Sequence, residues 1–190
     1  MAITVESPPI APDEALALLE ISPDHTSTGR RNRALISLLW RLGMRPGEAL
    51  SVSPGDIDLD ERCVRVNGRI VGMDDLAAVE IARWAERREE MGLGSEGPFV
   101  STLRGKPLSQ AYVRELLPRP GARVGLAHRV HAMAFRYACA AEMAVEGITT
   151  EIIEAQLGVR PQSTVARYLR IPEGDDIIGA IVARPVPGSR

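Results

Sequence analysis

The sequence predicts a mixed α+β fold that is mostly helical and carries one small antiparallel sheet. Three observations predict it: apolar residues recur at helical spacing, an Asn-Gly pair separates two short β-branched runs, and Gly or Pro marks most boundaries. With 190 residues, 45% apolar and 25% charged, the composition is that of one globular domain. We expect residues 1–10 to form an extended arm, 11–171 the core and 172–190 a C-terminal segment and tail.

The N-terminal part is predicted to be helical. A proline and two acids at 12–14 suit the first turn of a helix, because proline lacks the amide that would go unused there. Residues 22–29 are polar and predict a loop. From Arg30 the apolar spacing predicts a second helix that ends at Gly43, and Pro46 begins a third.

The predicted sheet centres on a hairpin. Residues 56–60 predict a turn that leads into a strand at 63–66. The Asn-Gly pair at 67–68 favours a two-residue hairpin turn, with 69–71 as the returning strand. We also expect a short strand at 99–100.

The remaining elements are predicted to be helices, separated by loops rich in Gly or Pro at 92–97 and 118–125. Hydroxyl residues suit the N-caps of two of them. The predicted helices are 75–91, 109–117, 131–145, 149–157, 163–169 and 176–182.

Charge and cysteine content exclude several classes of protein. A net charge of −2 argues against indiscriminate coating of DNA or membranes, although residues 91–150 carry seven bases and only four acids. Cys63 and Cys139 make no disulfide framework, and no apolar run is long enough to span a bilayer. We therefore expect a reduced, cytoplasmic protein without a membrane partner. Lys106 is its sole lysine.

Common catalytic signatures are absent from the sequence. There is no P-loop, no GxGxxG after a strand and no HExxH, and the three histidines are scattered at 25, 128 and 131. We expect no metal and no small-molecule cofactor. Residues 149–169 are typical of a helix-turn-helix, in which Ser163, Thr164 and Arg167 would face the major groove, but a structural helix pair has the same pattern.

Four segments follow one another in the order and spacing of one enzyme family. They are GMRPGEAL at 43–50, GPFVS with RGKPLS at 97–109, VHAMAFRYA at 130–138, and LGV at 157–159 with Ser163, Thr164 and Tyr168. They resemble, in that order, the GLRxSEL, LFxSxRGxPLS, HxLRHxxA and LGH…ST…Y motifs of the tyrosine recombinases, the phage integrase family. The resemblance covers about residues 9–171 and implies that family's catalytic-domain fold.

The resemblance also implies a site and a substrate, duplex DNA. Arg45 and Arg136 would clamp a phosphodiester, since arginine forks match phosphate oxygens bidentately. Tyr168 would attack the phosphorus and form a 3′-phosphotyrosyl link, and Glu48 would orient a neighbour. A buried Arg136 needs a partner, for which Glu142 or Glu48 is expected. Residues expected to contact DNA are Arg69, Lys106, Arg160, Ser163 and Thr164.

Three expected proton donors are missing. The family carries a lysine on the hairpin, a histidine three residues before the second arginine, and a histidine or tryptophan after LG. The hairpin here has no lysine, and the other two positions hold Met133 and Val159. Tyr137 stands where a second histidine often follows. His131 lies about 140° around a helix from Arg136, so it would contribute only if the helix began after it and the chain bent back.

These departures leave three functional hypotheses. The first is a site-specific DNA recombinase of reduced activity, and the second is an impaired recombinase fold that acts as a DNA-binding regulator or accessory subunit. The third is an unrelated helix-turn-helix regulator that uses residues 149–169. No N-terminal DNA-clamping domain is expected before Arg45, so we expect self-association or a complete recombinase as partner. Residues 176–182 would dock on a neighbour or fold on their own domain.

Overall fold

The computed structural model describes residues 10–126, 130–159 and 174–188. It confirms a mostly helical fold with one small antiparallel sheet. The helices are α1 (Pro12–Glu20), α2 (Ser27–Trp40), α3 (Pro46–Ser51), α4 (Asp75–Glu90), α5 (Gln110–Leu116), α6 (Pro118–Arg123), α7 (Ala132–Val145), α8 (Thr150–Leu157) and α9 (Gly174–Val182). The strands are β1 (Ile57–Asp58), β2 (Cys63–Val66) and β3 (Arg69–Gly72).

The sheet has the order β1-β2-β3 and is antiparallel throughout. Val66 pairs with Arg69 across the predicted Asn-Gly turn. Asn67 and Gly68 have φ values of 50° and 73°, the left-handed conformation that a type I′ hairpin requires at both positions. The hairpin prediction is confirmed, whereas the predicted turn at 56–60 contains a short strand that pairs with β2.

Three local predictions are wrong. The predicted loop at 22–29 already contains the start of α2, because the Thr26 hydroxyl accepts the Gly29 amide at 3.0 Å and caps the helix early. The predicted loop at 118–125 contains α6, since prolines are tolerated in a first helical turn. Residues 99–100 are buried but form no strand; the only pairing nearby is an isolated bridge from Ser101 to Pro107.

The main core surrounds α2, whose residues 34–40 are all buried. Trp84 of α4 donates from Nε1 to the Phe99 carbonyl at 2.9 Å. Arg88 of α4 donates to the same carbonyl at 2.9 Å and to the Ser101 hydroxyl at 3.0 Å. Helix α4 therefore holds the link that leads into α5, although that link is not a strand.

A smaller apolar cluster joins α7, α8 and α9. Its buried members include Cys139, Leu157 and Ile181. Gly72 of β3 lies so close to α9 that a Cβ there would be 2.9 Å from the Ile181 Cβ. The C-terminal helix thus folds on its own chain in this structure. Among the described residues, no helix is long and apolar enough to cross a membrane.

A network of buried charges fastens the chain that follows α9. Arg41, fully buried, lies 2.5 Å from carboxylate oxygens of both Asp74 and Glu142. Arg184 donates to the Arg41 carbonyl at 2.9 Å and lies 2.7 Å from a Glu146 oxygen. Each cation has a carboxylate partner, as buried charges require.

Removing one cation from this network should strongly destabilise the fold. We expect Arg184→Met to lower the free energy of unfolding by about 3–5 kcal/mol, because it removes a cation partner from Glu142 and Glu146, whose side chains are only 11% and 15% exposed. Arg83→Met is the control: Arg83 is half-exposed, and its partner Glu80 keeps its bond to Arg33. The control should change stability by less than about 1 kcal/mol in urea titrations. Equal losses would contradict the network's role.

A second prediction isolates a close contact at Gly43. Gly43 and Gly92 both have a φ of +66°. Alanine in this left-handed backbone conformation is destabilised by about 1 kcal/mol relative to glycine at either position. At Gly43 a Cβ would also lie 2.4 Å from Leu157 Cδ2, whereas nothing lies within 4 Å at Gly92. Urea unfolding should therefore show Gly43→Ala less stable than Gly92→Ala by about 1–3 kcal/mol. Indistinguishable variants would refute the tight α2–α8 contact.

Candidate active site

Arg136 projects from α7 into the junction of two helix ends and is only 5% exposed. Its Nη1 donates to the Gly43 carbonyl at 2.5 Å and its Nη2 to the Leu157 carbonyl at 2.6 Å. Gly43 closes the turn after α2, and Leu157 is the last residue of α8. Helix C-termini have carbonyls without intrahelical partners and carry partial negative charge, so they stabilise a buried guanidinium.

The prediction that Glu142 is the carboxylate partner of Arg136 is therefore wrong. Glu142 lies six residues further along α7, about 120° around the helix, and faces Arg41 instead. Backbone carbonyls take its place. Two of the five N–H groups of the guanidinium are used in this way, and the described residues supply no acceptor for the other three.

Arg45 and Glu48 form a local unit at the start of α3. Arg45 immediately precedes Pro46, the first helical residue, and its amide donates to Glu48 Oε2 at 2.8 Å. Its Nη1 donates to Glu48 Oε1 at 3.2 Å. The Arg45 side chain is 49% exposed, whereas Glu48 is buried. The carboxylate thus orients Arg45 while leaving the guanidinium open to solvent.

Arg69, the first residue of β3, joins the same carboxylate. Its Nη2 lies 3.1 Å from Glu48 Oε2, but neither Nη1 nor Nη2 has an aligned hydrogen-bond acceptor among the described residues, although both atoms are buried. Gly158, in the left-handed conformation, makes room for it: a Cβ there would be 2.3 Å from Arg69 Nε. The hairpin arginine therefore packs against the end of α8.

The cluster of Arg45, Glu48, Arg69 and Arg136 has three positive charges and one negative charge. Burial raises the pKa of Glu48, but the hydrogen bond from the Arg45 amide and the arginine charges outweigh it, so this pKa lies below its ordinary value. Burial lowers the pKa of Arg136, and the like charge of Arg45 lowers it further. Burial also lowers the pKa of Arg69. A bound anion would relieve this excess of positive charge.

Other residues predicted for the site lie around this cluster. Lys106 is exposed in a turn whose backbone bonds to Thr102, and no described contact joins its side chain to the arginines. Met133 is half-buried in the first turn of α7, while Tyr137 is 43% and Val159 42% exposed. None of these three supplies an imidazole.

His131 meets the first of the two conditions that the sequence set for it, a helix that begins after it. Helix α7 begins at Ala132, so His131 is the extended N-cap residue and its side chain makes no capping bond. Its direction is therefore not fixed by the helical repeat. Whether it takes part in chemistry stays a prediction.

Several predicted residues lie outside the described part of the chain. They are Tyr168, Arg160, Ser163, Thr164 and Arg167, together with the predicted helix at 163–169. Among the described residues, no group of three His, Cys, Asp or Glu side chains is placed to hold a metal ion.

Sequence reasoning missed the groups that hold the arginines in place. The carbonyls of Gly43 and Leu157 are backbone atoms and leave no residue-type signal. The glycines at 43 and 158 were recognised only as helix ends, although their lack of a Cβ also permits the close approach of Leu157 and Arg69.

The lowered pKa of Glu48 predicts a pH-dependent stability. A carboxylate whose folded pKa is lowered stabilises the fold above its unfolded pKa, and this contribution is lost as the pH falls through the folded value. Glu48→Gln should therefore be less stable than wild type at pH 7, with the difference shrinking below about pH 4.3. Urea titrations across pH 3–7 measure this. Glu90→Gln, in an exposed pair with Arg87, is the control; a gap for Glu48→Gln that is constant with pH would contradict the assignment.

Known proteins resemble this chain along most of its length. Residues 9–173 match the model of the phage integrase family. The type 1 fimbriae regulatory protein FimE of Escherichia coli K12 is 30% identical over 151 residues, which is 75% of this chain and 75% of FimE. The family match includes residues 149–169, so the hypothesis of a helix-turn-helix regulator unrelated to integrases is wrong.

Solved structures share the fold. XerA recombinase superposes with a TM-score of 0.71 at 22% identity, over 85% of this chain and 59% of XerA. XerH recombinase bound to a palindromic difH substrate, a post-cleavage complex, superposes with a TM-score of 0.67 at 22% identity, over 81% of this chain and 47% of XerH. This chain thus spans about half to three fifths of those proteins. The predicted catalytic-domain fold is confirmed, and the chain belongs to the phage integrase family of tyrosine recombinases.

Proposed function

We propose that this chain is a site-specific recombinase of reduced activity, which breaks and rejoins duplex DNA in the cytoplasm through Tyr168. The observation that carries the proposal is the pairing of Arg45 and Arg69 with Glu48, together with an Arg136 charge close enough to lower the pKa of that carboxylate. Three cations around one carboxylate, with the Arg45 guanidinium open to solvent, suit a phosphodiester. The similarity to XerH, whose structure contains cleaved substrate DNA, supports the same substrate class.

The arginines hold the phosphate in this proposal. Arg136, oriented by the Gly43 and Leu157 carbonyls, offers its remaining N–H groups to the nonbridging oxygens, and the exposed Arg45 closes on them from the other side. The Tyr168 oxygen attacks phosphorus, its proton passes to solvent, and the bond to the 5′-oxygen breaks with its electron pair. Charge stabilisation of this kind is worth about 3–4 kcal/mol per donor.

The departing 5′-oxygen also needs a proton. We attribute the proposed loss of activity to slow transfer of this proton. Arg69 occupies the hairpin that carries a lysine in the family, but a guanidinium holds its proton too tightly to be an efficient acid. General acid catalysis contributes about 10²–10⁴-fold. Arg69 therefore supports binding and alignment more than proton transfer.

DNA contacts outside the cluster are proposed for Lys106 in the exposed 102–106 turn, and for Arg160, Ser163 and Thr164 after α8. A net charge of −2 makes the non-specific affinity of a single copy low. We therefore propose that the chain binds DNA with a second copy or with a complete recombinase.

The nucleophile is tested with a nicked duplex substrate that traps covalent intermediates. Wild type should form a protein–DNA adduct, and Tyr168→Phe should reduce adduct formation at least about 10³-fold, because it removes the attacking oxygen. Tyr112→Phe, at a tyrosine whose hydroxyl bonds to Arg31 and not to the arginine cluster, should leave the adduct unchanged. An adduct that persists in Tyr168→Phe would overturn the assignment.

A second candidate function is an accessory subunit that binds DNA without cutting it. Met133 and Val159 at the two histidine positions favour this candidate, since neither can transfer a proton. It predicts duplex binding by wild type, no adduct with wild type alone, and altered adduct yield when a complete recombinase is added. Adduct formation by wild type alone would exclude it.

A further inference from the structure

Gln156, a fully buried residue of α8, joins three segments of the site through its side-chain amide. Its Oε1 accepts the Gly72 amide at 2.9 Å, and its Nε2 donates to the Gly72 carbonyl at 2.9 Å. The same Nε2 lies 3.4 Å from the Leu42 carbonyl. One side chain therefore connects α8 to β3 and to the turn after α2.

The bonds to Gly72 explain why a glutamine occupies this position. β3 is an edge strand, and the amide and carbonyl of Gly72 point away from β2. A primary amide has one acceptor and two donors, so it pairs with a strand edge as another peptide group would. Gln156 thereby provides hydrogen-bond partners for the amide and carbonyl of a strand edge that lies buried beneath α8 and α9.

The contacts of Gln156 flank both carbonyls that hold Arg136. Leu42 precedes Gly43, whose carbonyl binds Nη1, and Gln156 precedes Leu157, whose carbonyl binds Nη2. The following residue, Gly158, packs on Arg69. A shift of α8 against β3 would therefore move an Arg136 acceptor and the Arg69 contact together.

We propose that Gln156 is a positioning residue for catalysis: its amide fixes the end of α8 against β3 and so sets the orientation of Arg136 and Arg69 toward the scissile phosphate. This inference rests on the proposed strand cleavage. It concerns a residue that no recombinase motif quoted above includes.

The test uses Gln156→Met, which keeps the length of the side chain but removes all three polar contacts. Adduct formation on the nicked duplex should slow by about 10–100-fold, since misplacement by about 1 Å can cost this much. DNA affinity should change less than about threefold, because the same charges remain. Rates are measured where denaturant titration shows every variant fully folded. Ile81→Ala opens a cavity at a fully buried position of α4. It is the control for lost stability and should retain the wild-type rate.

Gln156→Glu should restore the hydrogen bonds to Gly72 when its carboxyl group is protonated, so its adduct rate should depend on pH. A buried glutamic acid stays neutral to high pH, and in that form it accepts from the Gly72 amide and donates one O–H to the Gly72 carbonyl. Its adduct rate, relative to wild type at each pH, should recover as the pH falls from about 9 to about 6. A Gln156→Met rate equal to that of Ile81→Ala, or a Gln156→Glu ratio independent of pH, would overturn the positioning role.

A spectroscopic readout separates this inference from the proposed function. The arginine Nε–Hε signals of ¹⁵N-labelled protein, with Arg136 and Arg69 assigned by Lys substitutions, should shift or broaden in Gln156→Met and return in Gln156→Glu at low pH. They should be unaffected in Ile81→Ala. If wild type forms no adduct, strand cleavage fails, and these signals alone decide: a shift supports Gln156 as the residue that orients the arginines, and unchanged signals reject it.

Discussion

Arg136 carries a positive charge into a position that is only 5% exposed, and the surrounding backbone must offset the loss of its hydration. The carbonyls of Gly43 and Leu157 do this, at 2.5 and 2.6 Å. Because these carbonyls belong to segments more than 100 residues apart in sequence, the arginine also joins the end of α2 to the end of α8. The contact of Arg69 with Gly158 lies at the same end of α8 and so depends on this junction, whereas Arg45 and Glu48 are held locally at the start of α3.

Two of the charge groups in the described part of the chain are balanced differently. Arg41 and Arg184 meet three carboxylates, so every cation of that group has a carboxylate partner, and the group fastens the C-terminal segment. The arginine cluster around Glu48 has a single carboxylate, and the pKa values of Arg69 and Arg136 are lowered mainly by burial. An excess of buried positive charge destabilises a fold unless an anion binds, which is why the second group marks a site and the first does not.

The sequence predicted what local rules decide. The Asn-Gly hairpin follows from turn geometry. The four motifs predicted the family and, through that resemblance, Arg45 and Arg136 as residues of the site. Sequence reasoning failed where a contact depends on distant backbone. Glu142 was one of two expected partners for Arg136, but Arg41, which lies 101 residues from Glu142 in sequence, binds that carboxylate. Gln156 gave no signal, since a glutamine in a short amphipathic helix is ordinarily exposed and only the neighbouring strand edge reveals its role.

Arg69 shows how binding and proton transfer place different demands on one position. A phosphate needs charge and directed N–H groups, which arginine supplies better than lysine, whereas a leaving oxygen needs a proton that can be released. Here the arginine is paired with Glu48 at 3.1 Å, and neither of its buried Nη atoms has an aligned acceptor among the described residues. In the proposed reaction an arginine at this position would favour alignment of the substrate over departure of the 5′-oxygen, which is the division of labour expected if alignment were retained after the proton donor was lost.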